Sequence, residues 1–197
     1  MKKHQEHIVC IKSDKVKHRE HGFVDYKLNN NDLMLGQRAS LENDDDFRQL
    51  LPISIFTHKG KVWAYERTSK GGESRLFSKI AIAVGGHWDL SDLVIKDSVI
   101  NLEESLSQTM ARELQEEVTL TSSIVSTIEL EKKVCADDTE VDRVHIAVVY
   151  VHELDGEGIE SCEDQLKTVG FVSPNELLSG DYNLEAWARV ICEILTN

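Results

Sequence analysis

Apolar residues recur every four positions at Leu102, Leu106, Met110, Leu114 and Val118, a slowly rotating stripe that predicts a helix packed by one face onto a sheet. Asn101 stands ahead of it as a helix-start residue, and Glu104, three positions on, completes the spacing of a capping box. Upstream the pattern turns strand-like. Ile53 to Thr57 and Lys61 to Arg67 flank a Lys59-Gly60 turn in hairpin fashion, and after a second turn at Ser69-Lys70-Gly71-Gly72 a run from Leu76 to Val84 ends in Gly85-Gly86. Beyond the helix, Ile124 to Val134 and Val144 to Val151 predict two more strands, the second so continuously apolar that it belongs at the centre of a sheet. The chain closes on an amphipathic helix from Leu184 to Leu195, whose Trp187, Val190, Ile191 and Ile194 form a face for core or dimer contact. Local patterning therefore predicts a mixed α/β domain.

The first fifty residues are more polar and are expected as an N-terminal extension packed on a domain spanning 51–197. Asn43-Asp44-Asp45-Asp46 predicts a helix start or surface turn before Phe47, Leu50 and Leu51, with Pro52 closing it. Its consecutive acids lack the alternation, glycine turn and terminal glutamate of a calcium loop. Lys3-His4-Gln5-Glu6-His7 and Lys17-His18-Arg19-Glu20-His21 resemble one another, but without thiols or a helical context they read as polar surface rather than metal sites. No linker or low-complexity tract supports a split into two domains.

Composition narrows the partners. At 197 residues and 41% hydrophobic, the chain can bury a full core, and its formal charge of −13 argues against a generic nucleic-acid or anionic-membrane surface. Cys10, Cys135, Cys162 and Cys192 are scattered without a C-x-x-C pair, which predicts buried free thiols and a cytoplasmic setting. Neither a membrane-spanning stretch nor a signal-peptide hydrophobic region is expected.

The chemistry lies on the first helix. Glu113, Glu116 and Glu117 stand at i, i+3 and i+4, project from one side and repel one another. Arg112, four residues before Glu116, answers them in part, leaving a negative face suited to a hard divalent cation such as Mg²⁺ or Mn²⁺. A merely solvated acidic face is the plain alternative. Against it stands the full run Glu104-x7-Arg112-Glu113-Leu114-Gln115-Glu116-Glu117, whose chance occurrence in a chain of these residue frequencies is on the order of 10⁻⁴.

This run resembles the signature of the Nudix hydrolase family, Gly-x5-Glu-x7-Arg-Glu-aliphatic-x-Glu-Glu-x-Gly-aliphatic. The match from Glu104 to Glu117 is complete, and Gly86 corresponds to the opening glycine at a strand end. Gly170 to Leu178 resembles the family's late strand and short helix. The resemblance implies an α/β/α sandwich around a mixed β-sheet over roughly residues 50 to 195. It also implies metal-dependent hydrolysis of a diphosphate linkage in a nucleoside diphosphate derivative or similar small metabolite. Mg²⁺ or Mn²⁺ would be held by Glu113, Glu116, Glu117 and the Gly86 carbonyl. Glu113 and Glu117 are then the primary ligands, Glu116 is ligand or base, and Arg112 orients Glu116. Glu104 serves either as helix cap or behind the metal site. A further base could come from the acidic stretch between Glu153 and Glu163. The implied partner is a small diphosphate, with no nucleic acid and no membrane, and a homodimer is compatible.

Two departures stand out. Seventeen residues separate Gly86 from Glu104 where the pattern has five, so His87 to Ile100 form an insertion expected to lengthen a loop beside the metal site. Thr119 replaces the glycine past the helix end, where a left-handed residue is usual. His87 is expected either to touch a phosphate or metal or to be an ordinary hydrogen-bonded histidine. Arg67, Lys70 and Arg75 are candidates for phosphate contacts. Trp63 and Trp88 either stack on a base or, preferably, fill the core. Two rival readings remain: an enzyme like the isopentenyl-diphosphate isomerases, which share the fold and which Gly86-His87 loosely resembles, and a catalytically inactive nucleotide-sensing module. The intact glutamate set favours hydrolysis.

Overall fold

The computed structural model describes residues 6–17, 19–20, 22–68, 76–137, 139–162 and 166–196. Lys70, Arg75, Glu163, the turn at 69–72 and His4, His18 and His21 lie outside the described residues. The chain runs through β1 (His7–Lys12), β2 (Arg19–Glu20), β3 (Phe23–Val24), β4 (Met34–Gln37), α1 (Arg38–Leu41), β5 (Phe47–His58), β6 (Lys61–Arg67), β7 (Ile80–Ala81) and β8 (Ala83–Gly85). There follow β9 (Ile95–Lys96), β10 (Val99–Ile100), α2 (Leu102–Glu117), β11 (Val118–Leu120), β12 (Ile124–Glu129) and β13 (Lys133–Val134). The last elements are β14 (His145–Leu154), β15 (Ile159–Ser161), β16 (Leu166–Val172), α3 (Pro174–Ser179) and α4 (Ala186–Leu195). A mixed sheet in the order β16-β6-β5-β14-β13-β3-β2 and few helices make the expected α/β fold.

Two compact units can be distinguished, each drawn from three segments. The first comprises Met1–Ile53, Gly85–Arg112 and Leu130–Val149. Here β1 pairs antiparallel with β4, from His7 opposite Gln37 to Cys10 opposite Met34, and with the start of β5. Ile8, Cys10 and Leu41 form a buried cluster against Phe47. The first half of β14 pairs with β13, which pairs in turn with β3. Strands from the polar first fifty residues thus contribute to the sheet of this unit.

The second unit comprises Ser54–Val84, Glu113–Glu129 and Tyr150–Asn197. There β6 lies between the end of β5 and β16, and Phe56, Trp63, Tyr65, Val84, Val118 and Leu154 form the core. Lys59 and Gly60 both take positive φ, 51° and 74°, as a two-residue hairpin turn matched to strand twist requires. Ser173 caps α3 by accepting from the Glu176 N–H, with Pro174 at the first helical position.

Several expectations need correcting. Of the two readings of Asn43 to Asp46 the surface turn holds, with the Asp46 N–H donating to Asp44, while a helix starting there does not: residues 47–51 are the first half of β5, and Pro52 lies inside that strand. Burial on both faces, with Gln49 fully enclosed, and pairing with the distant β1 outweigh the local turn signals. The inserted segment is not an extended loop. Trp88 is fully buried, Asp89 accepts from the Ser91 N–H to start a 3-10 turn, and β9 and β10 form a hairpin through Asp97 and Ser98 at positive φ. Cys162 is exposed rather than buried, although all four cysteines are free as expected. Trp63, like Trp88, is fully buried, which settles both as core.

Candidate active site

Helix α2 carries the signature on sixteen residues. Its start follows the predicted cap: the Asn101 side chain accepts from the Glu104 N–H at 3.3 Å, and the Asn101 carbonyl accepts from the N–H of Ser105. Ser105, Leu106 and Thr109 are the buried side. The Asn101 N–H donates to the Val94 carbonyl, so the return half of the expected capping box is not made, and the Glu104 carboxylate forms an ion pair with Lys96 of the β9–β10 hairpin. Both side chains are largely exposed, and such pairs contribute little.

Arg112 is held more firmly. Its guanidinium donates to Asp92 from Nη2 at 2.7 Å and from Nε at 3.2 Å, and to the His87 carbonyl at 3.2 Å. Asp92 is only 5% exposed at its side chain, so the insertion supplies a buried, forked partner to the signature arginine. The residues just before it are fixed as well. Gly85 has φ of +151°, and a Cβ there would stand 2.4 Å from the Pro52 carbonyl, so only glycine fits. The Trp88 N–H donates to the Leu50 carbonyl, and the Trp88 carbonyl accepts from Val9. Gly86 sits in this braced stretch, directly after β8.

In the second unit the last turn of α2 places Glu113 and Glu117 half-buried and Glu116 exposed. None of the three is without a partner. Arg67 lies close enough to Glu117 to feel its charge. Burial works against the guanidinium, but the Tyr65 ring 5.6 Å below it, an ion pair with Glu185 and the Glu117 carboxylate together keep it protonated beyond its ordinary range. Arg67 is thus engaged within the fold, not held out as an unencumbered phosphate contact. The helix ends without a left-handed residue because the chain passes straight into β11, where Thr119 is extended opposite Glu160 and the Glu117 carbonyl accepts from Cys162. A β-branched residue suits that strand, which accounts for threonine in place of glycine.

Carboxylate oxygens one turn apart are the donor chemistry Mg²⁺ and Mn²⁺ select, so the residues present fit such an ion. Among the described residues no three His, Cys, Asp or Glu side chains are gathered about a common point. Like charges do not converge unaided, and the approach of a cation would have to draw them together.

The NUDIX domain model matches residues 52–192. The chain belongs to the Nudix family. Membership carries the reaction class, that of a pyrophosphohydrolase acting on nucleotide derivatives in general. Among curated proteins, YmaB of Bacillus subtilis (strain 168) is 29% identical over 162 residues, covering 81% of this chain and 76% of that protein. The crystal structure of Tm1382, named as a Nudix hydrolase, is similar with a TM-score of 0.74 at 19% identity, over 96% of this chain and 98% of that one. DR0079 from Deinococcus radiodurans is similar with a TM-score of 0.50 at 16% identity, over 89% and 99% respectively. These likenesses establish the Nudix fold.

Of the downstream acids, Glu153 accepts from Thr57 and from the Lys59 N–H, and Asp155 accepts from Ser123, so both hold turns in place. His87 turns its ring to Gln49 and His145, 2.8 and 3.1 Å away. Asp92, Gln49, His145 and Glu185 escaped the sequence reading, since no local pattern marks a residue whose partner lies 20 to 118 positions off. Among the described residues no helix is long and apolar enough to cross a membrane.

Proposed function

We propose that this Nudix protein hydrolyses the diphosphate linkage of a nucleoside diphosphate derivative or similar small phosphorylated metabolite, using Mg²⁺ or Mn²⁺ held by Glu113, Glu116 and Glu117. The observation that carries this reading is the intact Glu-x7-Arg-Glu-Leu-x-Glu-Glu run on one uninterrupted helix, with its three acids on the final turn. A divalent cation bound there supplies charge neutralisation for the phosphoryl oxygens during attack by water.

Glu113 and Glu117, the more enclosed pair, are assigned to holding the cation. Glu116, the exposed one, is either a further ligand or the group that takes the proton from water, and a carboxylate not bound to metal is the better base. With Glu153 and Asp155 engaged in turns, Glu160, across from Thr119, is the remaining described acid of that stretch nearest in register to the helix end. Arg112 acts through position, bracing α2 on Asp92 and the His87 carbonyl. The part assigned to the Gly86 carbonyl rests on the resemblance of the signature. Four free cysteines agree with a reducing, cytoplasmic setting.

The test is a panel of nucleoside diphosphate derivatives with Mg²⁺ and Mn²⁺, scored by released monophosphate, on the parent and on Glu117→Gln. Turnover by the parent and none by the variant, at equal thermal stability, is the expected result. Turnover by both would remove Glu117 from the site. An isomerised product that kept its diphosphate would favour the isomerase-like reading, and tight nucleotide binding without turnover across several metals the sensing one.

A further inference from the structure

In the first unit, three electron-pair donors converge on a point that one proton has to serve. His145 opens β14, and its Nδ1 lies 2.6 Å from the Val141 carbonyl. A carbonyl can only accept, so the neutral ring carries its proton on Nδ1 and presents a bare lone pair at Nε2. That Nε2 is 3.1 Å from Nε2 of His87, which in turn is 2.8 Å from Oε1 of Gln49. The N–H of His87 is therefore divided between two acceptors. Gln49 is fully buried, and its Nε2 is left without a hydrogen-bond partner. That nitrogen is a donor and has no claim on a cation; the lone pairs short of a proton are those of His145 Nε2 and Gln49 Oε1.

A histidine with Nδ1–H tied to a backbone carbonyl and Nε2 facing a second imidazole has the arrangement in which proteins hold transition metals. Two nitrogens bound to one tetrahedral ion at about 2.0–2.1 Å stand roughly 3.3 Å apart. The two rings already nearly meet that separation. We propose that His87, His145 and Gln49 form a site for a single imidazole-seeking divalent cation of the Zn²⁺, Co²⁺ or Ni²⁺ class, with donors wholly different from the carboxylates of α2. As such a cation binds, the His87 proton leaves Nε2 and is carried on Nδ1 instead, so that both Nε2 lone pairs and Gln49 Oε1 turn to the metal. Burial lowers the basicity of His145 and keeps it in the neutral form a metal needs, and nearby Glu42 and Asp142 offset the positive charge of Arg38. Nitrogen donors disfavour Mg²⁺, so the two kinds of ion are sorted by chemistry. Among the described residues no further His, Cys, Asp or Glu completes a cluster of three here, which leaves a coordination position for water and makes the ion exchangeable.

Titration of the whole protein with Co²⁺ in excess Mg²⁺ tests this without reference to turnover. One bound equivalent with the visible absorption of low-coordinate cobalt, displaced by Zn²⁺, is expected. His87→Ala should weaken that binding about tenfold or more, whereas Glu117→Gln should leave it in place. His145→Gln should match His87→Ala, and if it does not fold, His87→Ala, on the half-buried member of the trio, decides alone. No cobalt spectrum in the parent, an unchanged one in His87→Ala, or its loss in Glu117→Gln would each overturn the proposal.

Discussion

The stretch of α2 up to Arg112 and its last turn from Glu113 to Glu117 are built on opposite terms. Along the first, the capping and charged groups that anchor the helix have specific partners: Asn101 with the Glu104 N–H, Glu104 with Lys96, Arg112 with Asp92 and the His87 carbonyl. The last turn stacks three like charges, an arrangement that costs an isolated helix a few tenths of a kcal/mol per pair. One stretch is selected for holding still. The other crowds three carboxylates onto one turn, each already engaged in the fold, and their summed charge suits a cation.

Substitutions should separate the two terms. The largest effect belongs to the last turn: Glu117→Gln is expected to abolish diphosphate hydrolysis with little net change in thermal unfolding, because relief of the repulsion among the glutamates is offset by loss of the Glu117 charge beside Arg67. A stability loss as large as the activity loss would erase the contrast. Next, Asp92→Asn leaves the Arg112 guanidinium without its charged partner. Since Arg112 is about one-third exposed, the cost should be held to about 1–2 kcal/mol in chemical denaturation, with the stabilisation gained on adding Mg²⁺ preserved. Asn101→Ala removes the cap and should cost about 1 kcal/mol, again without loss of the metal response that Glu117→Gln removes.

The smallest expected effect is a pH slope from the unit that holds the glutamate turn. His152 is buried between Ser54 and Thr127 and stacked on Phe56, and burial holds it below its ordinary value of 6.5. Above that value neither the folded nor the unfolded chain binds the proton, and stability is whole. As pH falls through it, the unfolded chain takes a proton that the folded one resists, and stability declines toward the folded-state value. Urea midpoints measured at about pH 7.5 and about pH 5.5 should therefore differ more in the parent than in His152→Gln.

Helix α2 was legible because its cap, stripe and acids are local, repeating on a 3.6-residue period. The Lys59-Gly60 hairpin was legible for the same reason. The turn at Asn43 to Asp46 was legible, but Pro52 looks like punctuation until β1, some forty residues away, is seen pairing with the start of the strand that contains it. The insertion was located correctly by the motif spacing, yet its content was not. Trp88 fills the core as preferred, but that Asp92 is the arginine's partner depends on a contact that no window of sequence contains.

By itself the sequence determined which helix carries the acids and the family to which their spacing belongs. Each follows from residue type and short-range spacing along one chain. Tertiary structure decided that Thr119 leaves the helix as strand, that Arg112 leans on the inserted segment, and that His87 meets His145 and Gln49. Those outcomes rest on groups far apart in sequence becoming neighbours, and the burial and hydrogen bonding that bring them together are properties of the packed fold alone.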